Sequence, residues 1–191
     1  ITTIERSLQT FSHQDESGNK AVDLHEGLES ALLILSPQLM ATPKRAEIKI
    51  ERCYGKLTKV YCYPSQLNQV FMGLLTNAID ALNQAAEKQA DRSAPKITIA
   101  TEVKDNSVQV SITDNGVGMK AAQVRQVFDP FFTTKAVGEG VGLGLSMSYQ
   151  IVNNNHQGSL TCVSNPGEAT TFTVRIPLSL KIQHNSPLVS V

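Results

Sequence analysis

The chain has 191 residues, of which 41% are hydrophobic and 18% are charged, and its 17 basic side chains balance its 17 acidic ones. This length fits one domain with a short appendage. The neutral balance argues against generic nucleic-acid binding, which needs a basic surface to neutralise phosphates. No apolar run approaches the roughly 20 residues of a membrane-spanning helix. Three cysteines without a CxxC pair argue against a disulfide framework and a zinc site, and they fit a reducing cytoplasm.

The first residues predict the end of a helix and a linker. Apolar side chains follow helical spacing from Ile1 to Phe11, and a polar segment then interrupts the pattern. Because the sequence starts with Ile1 rather than Met, a piece of a longer protein is expected. The expected organisation is a helix end with a linker at 1–20, one folded domain at 21–178 and a polar tail at 179–191.

A helix and a hairpin are predicted next. Asp23 is suited to cap a helix over residues 24–40, which Pro37 is expected to end early because proline disfavours helical backbone in the residue before it. Two short runs, 47–53 and 59–63, have the alternation or the β-branched and aromatic content of strands, with a glycine between them. They are expected to pair as a hairpin.

A long amphipathic helix follows, for which Ser65 is a suitable cap and which extends to about Lys88. Its apolar side chains form one helical stripe, made of Leu67, Val70, Phe71, Leu74, Leu75, Ala78, Ile79 and Leu82. A polar line on the opposite side consists of Gly73, Asn77, Asp80 and Gln84. This line is either a solvated face or, because amide and carboxylate oxygens suit Mg²⁺, part of a metal site.

The second half of the chain predicts more strands and another helix. Strands are expected at 96–103, 107–113, 159–163 and 170–176, and a helix at 142–155. Because these four strands are connected in the manner of hairpins, a mixed or antiparallel sheet covered by helices is favoured over a doubly wound one.

The segment DNGVGM, residues 114–119, follows directly on a predicted strand. A carboxylate at a strand end, here Asp114, can accept a hydrogen bond from an exocyclic amine. Glycines behind it let the backbone approach a flat ring. On these residues alone, an ordinary Asp-Asn-Gly turn explains the segment equally well.

A second glycine-rich segment, 138–145, has four glycines at alternate positions and leads into a predicted helix. Free backbone N–H groups at a helix start form an anion site, and Lys135 just upstream adds a cation. The segment is not a dinucleotide-binding fingerprint, because no strand precedes it. It also lacks the GK[ST] ending of a P-loop.

The order of these segments resembles one family. An Asn-bearing helix, DNGVGM, VFDPFFTTK, GEGVGLGL and GEATTFTVRIP follow one another over roughly residues 22–178. This order resembles the ATP-binding catalytic domain of sensor histidine kinases, in the GHKL or Bergerat-fold superfamily shared with gyrase, the ninety-kilodalton heat-shock chaperone and mismatch-repair ATPases. The resemblance implies an α+β fold, a two-layer α/β sandwich whose mixed, mostly antiparallel sheet of about five strands is covered on one face by helices.

The resemblance also implies roles for individual residues, with ATP and Mg²⁺ as cofactors. Asn77 is expected to ligate Mg²⁺ and to act in catalysis together with Lys135, which is placed to meet the phosphates. Asp114 is expected to bind the adenine amino group. The other nucleotide-binding residues implied are Asp80, Gly116, Gly118, Gly140, Val141, Gly142, Leu143, Gly144, Leu145, Thr170 and Thr171. The resemblance also implies a lid over the nucleotide, residues 120–141, which is anchored by Phe128, Phe131 and Phe132.

The implied function is transfer of the γ-phosphoryl group of ATP to a histidine on a dimerisation domain absent from this chain. The implied partners are that domain of the same protein and the receiver domain of a response regulator. The parent protein is expected to be a cytoplasmic homodimer that can be membrane-anchored, without contact of this chain with nucleic acid or membrane. His25 has an acidic neighbour like a phosphoacceptor, but its place in a first helical turn favours a structural or exposed role. His156 and His184 are expected to be ordinary surface residues.

One departure keeps alternatives open. Gly73 stands where the family often has a second Asn or, in ATP-hydrolysing relatives, a Glu that activates water. Its absence argues against efficient hydrolysis, and with the neutral charge it argues against a gyrase-like ATPase. A non-catalytic nucleotide-sensing domain, in which Gly73 marks lost activity, is one alternative. A serine kinase of the anti-sigma type is the other.

Overall fold

The computed structural model describes residues 18–88, 93–133 and 142–178. The elements in chain order are β1 (Lys20–Val22), α1 (Leu24–Leu39), β2 (Lys49–Tyr54), β3 (Val60–Cys62), α2 (Pro64–Lys88), β4 (Lys96–Lys104), β5 (Ser107–Asp114), α3 (Ala121–Gln126), α4 (Gly144–Gln150), β6 (Ser159–Ser164) and β7 (Thr170–Pro177). A π-helical turn, Ile151–Asn155, continues α4. The helix end predicted at the N-terminus and the predicted tail lie outside the described residues.

The main sheet has five strands in the order β2-β4-β5-β7-β6. β2 runs parallel to β4, and the other three pairs are antiparallel. Side chains on β4, β5 and β7 alternate between buried and partly buried positions, so one face of the sheet packs against the helices. This is the α+β sandwich with a mixed, mostly antiparallel sheet that the family resemblance implies.

The predicted hairpin between 47–53 and 59–63 is wrong. β2 lies beside β4, with Tyr54 opposite Thr101, and β3 pairs with β1 in a separate two-stranded sheet. Gly55 does not form a tight turn between the two runs. Its N–H donates to the carbonyl oxygen of Thr101 at 2.9 Å, and an added Cβ would lie 2.5 Å from that oxygen. The glycine therefore permits a close approach to β4.

Helix α1 begins as predicted but does not end at its proline. The Asp23 side chain accepts a hydrogen bond from the backbone N–H of His25 at 2.9 Å, which confirms the cap. Pro37 lies inside the helix, which continues to Leu39. Proline cannot donate to the carbonyl four residues earlier. The Ser36 hydroxyl donates to that carbonyl, of Leu33, at 2.7 Å, so the missing hydrogen bond is replaced.

Helix α2 forms the centre of the core. It begins at Pro64, so Ser65 lies in its first turn rather than at the cap. All eight residues of the predicted apolar stripe are buried. The helix packs against α1 and β5, and this packing directs its opposite side toward the site described below.

Two histidines have structural surroundings. The ring of His25 stacks on Tyr54 with 4.3 Å between centroids, and its Nε2 lies 2.8 Å from the Thr101 hydroxyl. The prediction of a surface position for His156 is wrong, because this side chain is 0% exposed. Burial lowers the pKa of His156. Its position after a helix gave no periodic signal of burial.

Two glycines inside helices should respond oppositely to alanine. A Cβ on Gly73 would lie 3.4 Å from the Ser148 hydroxyl oxygen, an ordinary contact, whereas a Cβ on Gly27 would overlap the Oδ1 atom of Asn68. Because alanine favours helix by about 1 kcal/mol over glycine, Gly73→Ala should raise the free energy of unfolding by up to that amount. Gly27→Ala should lower the free energy of unfolding, because the Asn68 amide that the new Cβ would displace is itself buried. Urea denaturation of both variants checks this, and a loss of stability in Gly73→Ala would contradict the expectation.

Candidate functional site

A cavity of about 510 Å³ lies beside α2, at the end of β5 where that strand enters the glycine-containing loop. Five α2 residues on successive turns line it, namely Asn77, Asp80, Ala81, Gln84 and Lys88. The predicted polar line of α2 therefore faces the cavity at three of its four positions. Gly73, the fourth, does not line it and lies beside Ser148 of α4.

Asp114, the last residue of β5, forms part of the cavity wall. Asp114 is only 3% exposed, and its Oδ1 accepts a hydrogen bond from the Gly116 N–H at 2.8 Å. Burial raises the pKa of Asp114 to about 6, against the opposing effect of hydrogen bonds from backbone N–H groups. At neutral pH the cavity wall therefore presents a buried, ionised hydrogen-bond acceptor.

The two glycines behind Asp114 have different roles. Gly116 does not line the cavity. A Cβ there would lie 2.7 Å from the Cβ of Ala81, so glycine lets the loop pack directly against α2 and hold the carboxylate. Gly118 lines the cavity with φ +65, and a Cβ there would overlap the carbonyl oxygen of Asn165. The absence of a side chain at Gly118 thus lets the loop lie directly against the β6–β7 turn.

Adjacent threonines on β7 point to opposite faces of the sheet. Thr170 is buried at the cavity, and its Oγ1 lies 2.8 Å from the hydroxyl oxygen of Ser164. Ser164 also accepts a hydrogen bond from the Met119 N–H at 2.9 Å. Thr171 does not reach the cavity, since its hydroxyl bonds to that of Thr113 at 2.9 Å on the other face. Sequence reasoning missed Ser164, whose only signal is its register opposite Thr170.

The glycine-rich segment is only partly described. Lys135, Gly140 and Val141, all predicted site residues, lie outside the described residues. Leu145 in the first turn of α4 lines the cavity. The residues Gly142, Leu143 and Gly144 do not line it. Gly142 has φ +70, and its carbonyl oxygen accepts a hydrogen bond from the Phe131 N–H at 2.9 Å.

The three predicted lid phenylalanines have three different environments. Phe128 packs against Tyr149 and Phe172, with ring centroids 5.2 and 6.3 Å apart. Phe132 lines the cavity. Phe131 is 71% exposed and has φ +66. Phe128 therefore attaches the segment after α3 to the core, which keeps Phe132 at the cavity.

Several residues that line the cavity were not predicted as site residues. They include Ala81, Lys88, Met119, Lys120 and Phe172. Helical spacing from Asn77 would have found Ala81 and Lys88, because both continue the same side of α2. Phe172 could not be assigned this way, because only the sheet register places it near the end of β5.

Two further properties concern the described residues as a whole. No helix within 18–88, 93–133 and 142–178 combines the length and apolar content needed to cross a membrane. The three cysteines, at positions 53, 62 and 162, are free thiols. Burial raises the pKa of Cys62 and Cys162 to about 12, so neither is a reactive thiolate at neutral pH.

Comparison with known proteins identifies relatives of this chain. Residues 62–180 match the family described as histidine kinase-, DNA gyrase B-, and HSP90-like ATPase. The signal transduction histidine-protein kinase AtoS of Escherichia coli K12 is 32% identical over 180 residues, which cover 94% of this chain and 27% of AtoS. The sensor histidine kinase ZraS of the same strain is 31% identical over 161 residues, 84% of this chain and 31% of ZraS. The chain thus spans less than a third of each relative.

Solved structures share the fold. The catalytic domain of histidine kinase ThkA superimposes with a TM-score of 0.66 at 22% identity, covering 84% of this chain and 95% of that one. Full-length ShkA in complex with AMPPNP gives a TM-score of 0.69 at 17% identity, covering 93% of this chain and 35% of that one. The chain therefore belongs to the family of histidine kinase-, DNA gyrase B- and HSP90-like ATPases, as an ATP-binding catalytic domain of the type found in sensor histidine kinases.

Proposed function

We propose that this domain binds Mg-ATP in the cavity beside α2 and transfers the γ-phosphoryl group to a histidine on a dimerisation domain of the same protein. The observation that carries the proposal is the buried Asp114 carboxylate at a cavity of about 510 Å³, a size in the range of small-molecule sites. An ionised acceptor in that position suits the exocyclic amine of adenine. A base that presents a carbonyl oxygen to Asp114 would instead place two hydrogen-bond acceptors, that oxygen and the carboxylate, against each other.

The residues around Asp114 support this placement of the base. Gly118 and Thr170 line the same cavity as Asp114. Thr170 is held by Ser164, which is itself held by the Met119 N–H. We propose that Thr170 orients the base or a bound water. Thr171, on the other face of the sheet, is not part of this proposal.

The oxygen atoms of α2 fit a magnesium ion that is also bound by phosphates. The described residues contain no group of three His, Cys, Asp or Glu side chains that could hold a metal. Mg²⁺ in phosphate sites needs only one or two protein oxygens, because phosphates and waters complete its coordination. Asn77, with Asp80 one turn on, would hold it. The bound ion would neutralise the developing phosphate charge, and Lys135 is proposed to assist.

The proposed chemistry needs no protein base. A neutral imidazole nitrogen attacks the γ-phosphorus, the bond from that phosphorus to the β–γ bridging oxygen breaks, and ADP leaves with the electron pair. The proton on the other ring nitrogen then passes to water. The enzyme then contributes positioning and charge neutralisation. Gly73 supplies no carboxylate one turn before Asn77 to activate water, which favours transfer to a histidine over hydrolysis.

Asn77→Ala should separate metal binding from base recognition. We expect autophosphorylation of the full-length parent protein to fall about 100-fold or more, because one ligand of the charge-neutralising ion is lost. ATP measured without Mg²⁺ should bind the variant and the original domain alike. The control is Gln69→Ala, which removes an exposed amide from the same helix. It should change neither autophosphorylation nor ATP binding. Unaltered phosphorylation in Asn77→Ala would overturn the metal assignment.

The proposed partners follow from the relatives rather than from the described residues. They are the dimerisation domain of the same protein and the receiver domain of a response regulator, in a homodimeric parent. The free cysteines fit a cytoplasmic location. One competing function is a domain that only senses nucleotide, in which Gly73 marks lost activity. Incubation with labelled ATP and the purified dimerisation domain distinguishes the two, because only a kinase labels that domain.

A further inference from the structure

A buried histidine connects the two helices that border the cavity. His156 directly follows the π-helical turn that ends α4. Its Nδ1 lies 2.9 Å from the Ile151 carbonyl oxygen, and its Nε2 lies 3.1 Å from the backbone nitrogen of Tyr63, immediately before α2. Because a carbonyl only accepts and a backbone N–H only donates, the ring is neutral with its proton on Nδ1. The Tyr63 N–H thus donates to the ring across the two helices.

Neighbouring contacts strengthen the same connection. The Asn155 side-chain amide donates to Oε1 of Gln66, in the first turn of α2, at 2.9 Å. The rings of Tyr63 and His156 meet edge to face, with 5.5 Å between centroids. The end of α4 is therefore attached to the start of α2 through several groups, of which only His156 is fully buried.

The connection lies at the opposite end of the helix pair from the cavity. Further along, α2 packs against α4, and a Cβ added to Gly73 of α2 would lie 3.4 Å from the Ser148 hydroxyl oxygen of α4. Beyond this close approach, Asn77 and Leu145 line the cavity. The two helices thus run antiparallel from the His156 connection, past Gly73, to the cavity. Since helices are rigid over this length, their separation at the cavity depends on how they are held at the other end.

We infer that His156 is a positioning residue of the nucleotide site, which sets the spacing of Asn77 and Leu145 by hydrogen-bonding the end of α4 to the start of α2. This inference rests on the nucleotide binding proposed above. The hydrogen bond to Tyr63 joins the two helices, whereas the hydrogen bond to Ile151 lies within one of them. Positioning therefore depends on the Nε2 acceptor and not on the Nδ1 donor.

Two conservative variants separate these hydrogen bonds. In His156→Gln the longer side chain places an amide oxygen near the position of Nε2, so it keeps the acceptor for Tyr63. In His156→Asn the shorter side chain places its amide near Nδ1, so it keeps only the partner of Ile151. Calorimetric titration of Mg-ATP should give a near-original affinity for Gln and an affinity about tenfold weaker for Asn, since an interhelical hydrogen bond to a buried group is lost.

A control distinguishes positioning from general loss of stability. Ile176→Ala removes a buried side chain from the end of β7 remote from Thr170 and should lower stability without changing the affinity for Mg-ATP. Equal affinities of the Gln and Asn variants, or an equal loss in Ile176→Ala, would overturn the inference.

A second measurement does not require nucleotide. If the original domain itself fails to bind Mg-ATP, the proposed function fails, and amide hydrogen exchange then decides the inference about His156. Residues 144–148 should exchange faster in His156→Asn than in His156→Gln when both are folded. The same exchange rate in both variants would overturn the inference.

Discussion

Asp114→Asn is expected to weaken Mg-ATP binding about 100-fold or more while it stabilises the unliganded domain at pH 7.5. The binding loss follows because the substitution removes the negative charge and one acceptor from the cavity wall, and leaves the adenine amine facing an amide that also donates. Asp129→Asn, an exposed residue on the segment after α3, is the control and should bind as the original domain does. Isothermal titration of the three proteins checks this.

The gain in stability follows from the buried charge. The pKa of Asp114 is raised from 3.8 to about 6 in the folded state. Between these two values the folded state holds more protons than the unfolded one, so the free energy of unfolding falls as the pH rises. Above about pH 6 the loss in the free energy of unfolding reaches roughly 3 kcal/mol, because one pKa unit corresponds to about 1.4 kcal/mol. Removing the charge removes this cost.

Urea denaturation at two pH values tests the stability of Asp114→Asn. The variant should be more stable than the original domain at pH 7.5 by up to about 3 kcal/mol. The difference should vanish near pH 4, where the native carboxyl is itself protonated. A variant that is less stable at pH 7.5, or one that still binds Mg-ATP with the original affinity, would contradict the placement of Asp114 as a buried acceptor of the base.

Gly118→Ala is expected to destabilise the domain by about 3 kcal/mol or more. The new Cβ would overlap the Asn165 carbonyl oxygen, and it would also lie 3.0 Å from the Glu168 carbonyl oxygen. Backbone must move on one side or the other, since neither neighbour is a flexible side chain. The φ of +65 adds a conformational cost of about 1–2 kcal/mol for any residue with a Cβ.

The matched control for Gly118→Ala is Gly144→Ala. A Cβ on Gly144 meets nothing within 4 Å, and the residue begins a helix that alanine favours. We therefore expect an unchanged or slightly higher free energy of unfolding in urea for Gly144→Ala. Equal losses in the two variants would show that the loop is not held against the β6–β7 turn by Gly118.

Local chemistry and periodicity were sufficient for part of the fold and site. The apolar stripe of α2 is buried in full because a helix repeats its contacts every 3.6 residues, so the pattern alone identifies the core side. The cavity position of Asp114 was predictable only through the order of segments that resembles the family, because the segment by itself fits an ordinary Asp-Asn-Gly turn equally well. The same holds for Asn77, because its helical spacing from Asp80 by itself also fits a solvated face.

Other features required contacts between residues distant in sequence. Alternation identified β2 as a strand, and β-branched and aromatic content identified β3, but neither pattern identified their partners. Pairing depends on burial of Val60 and Cys62 and on the approach of Gly55 to Thr101. Likewise, only the sheet register brings Ser164 to Thr170 and turns Thr171 away.

The amino-acid sequence by itself therefore determined the family, the order of the segments proposed to bind nucleotide and the buried side of α2. Each of these depends on short local patterns or on their order along the chain. The tertiary structure alone decided which strand accompanies β2, which of the two threonines meets the cavity, and that His156 is buried between α4 and α2. Each of these depends on side chains from separate elements, whose mutual burial and hydrogen bonding no local pattern encodes.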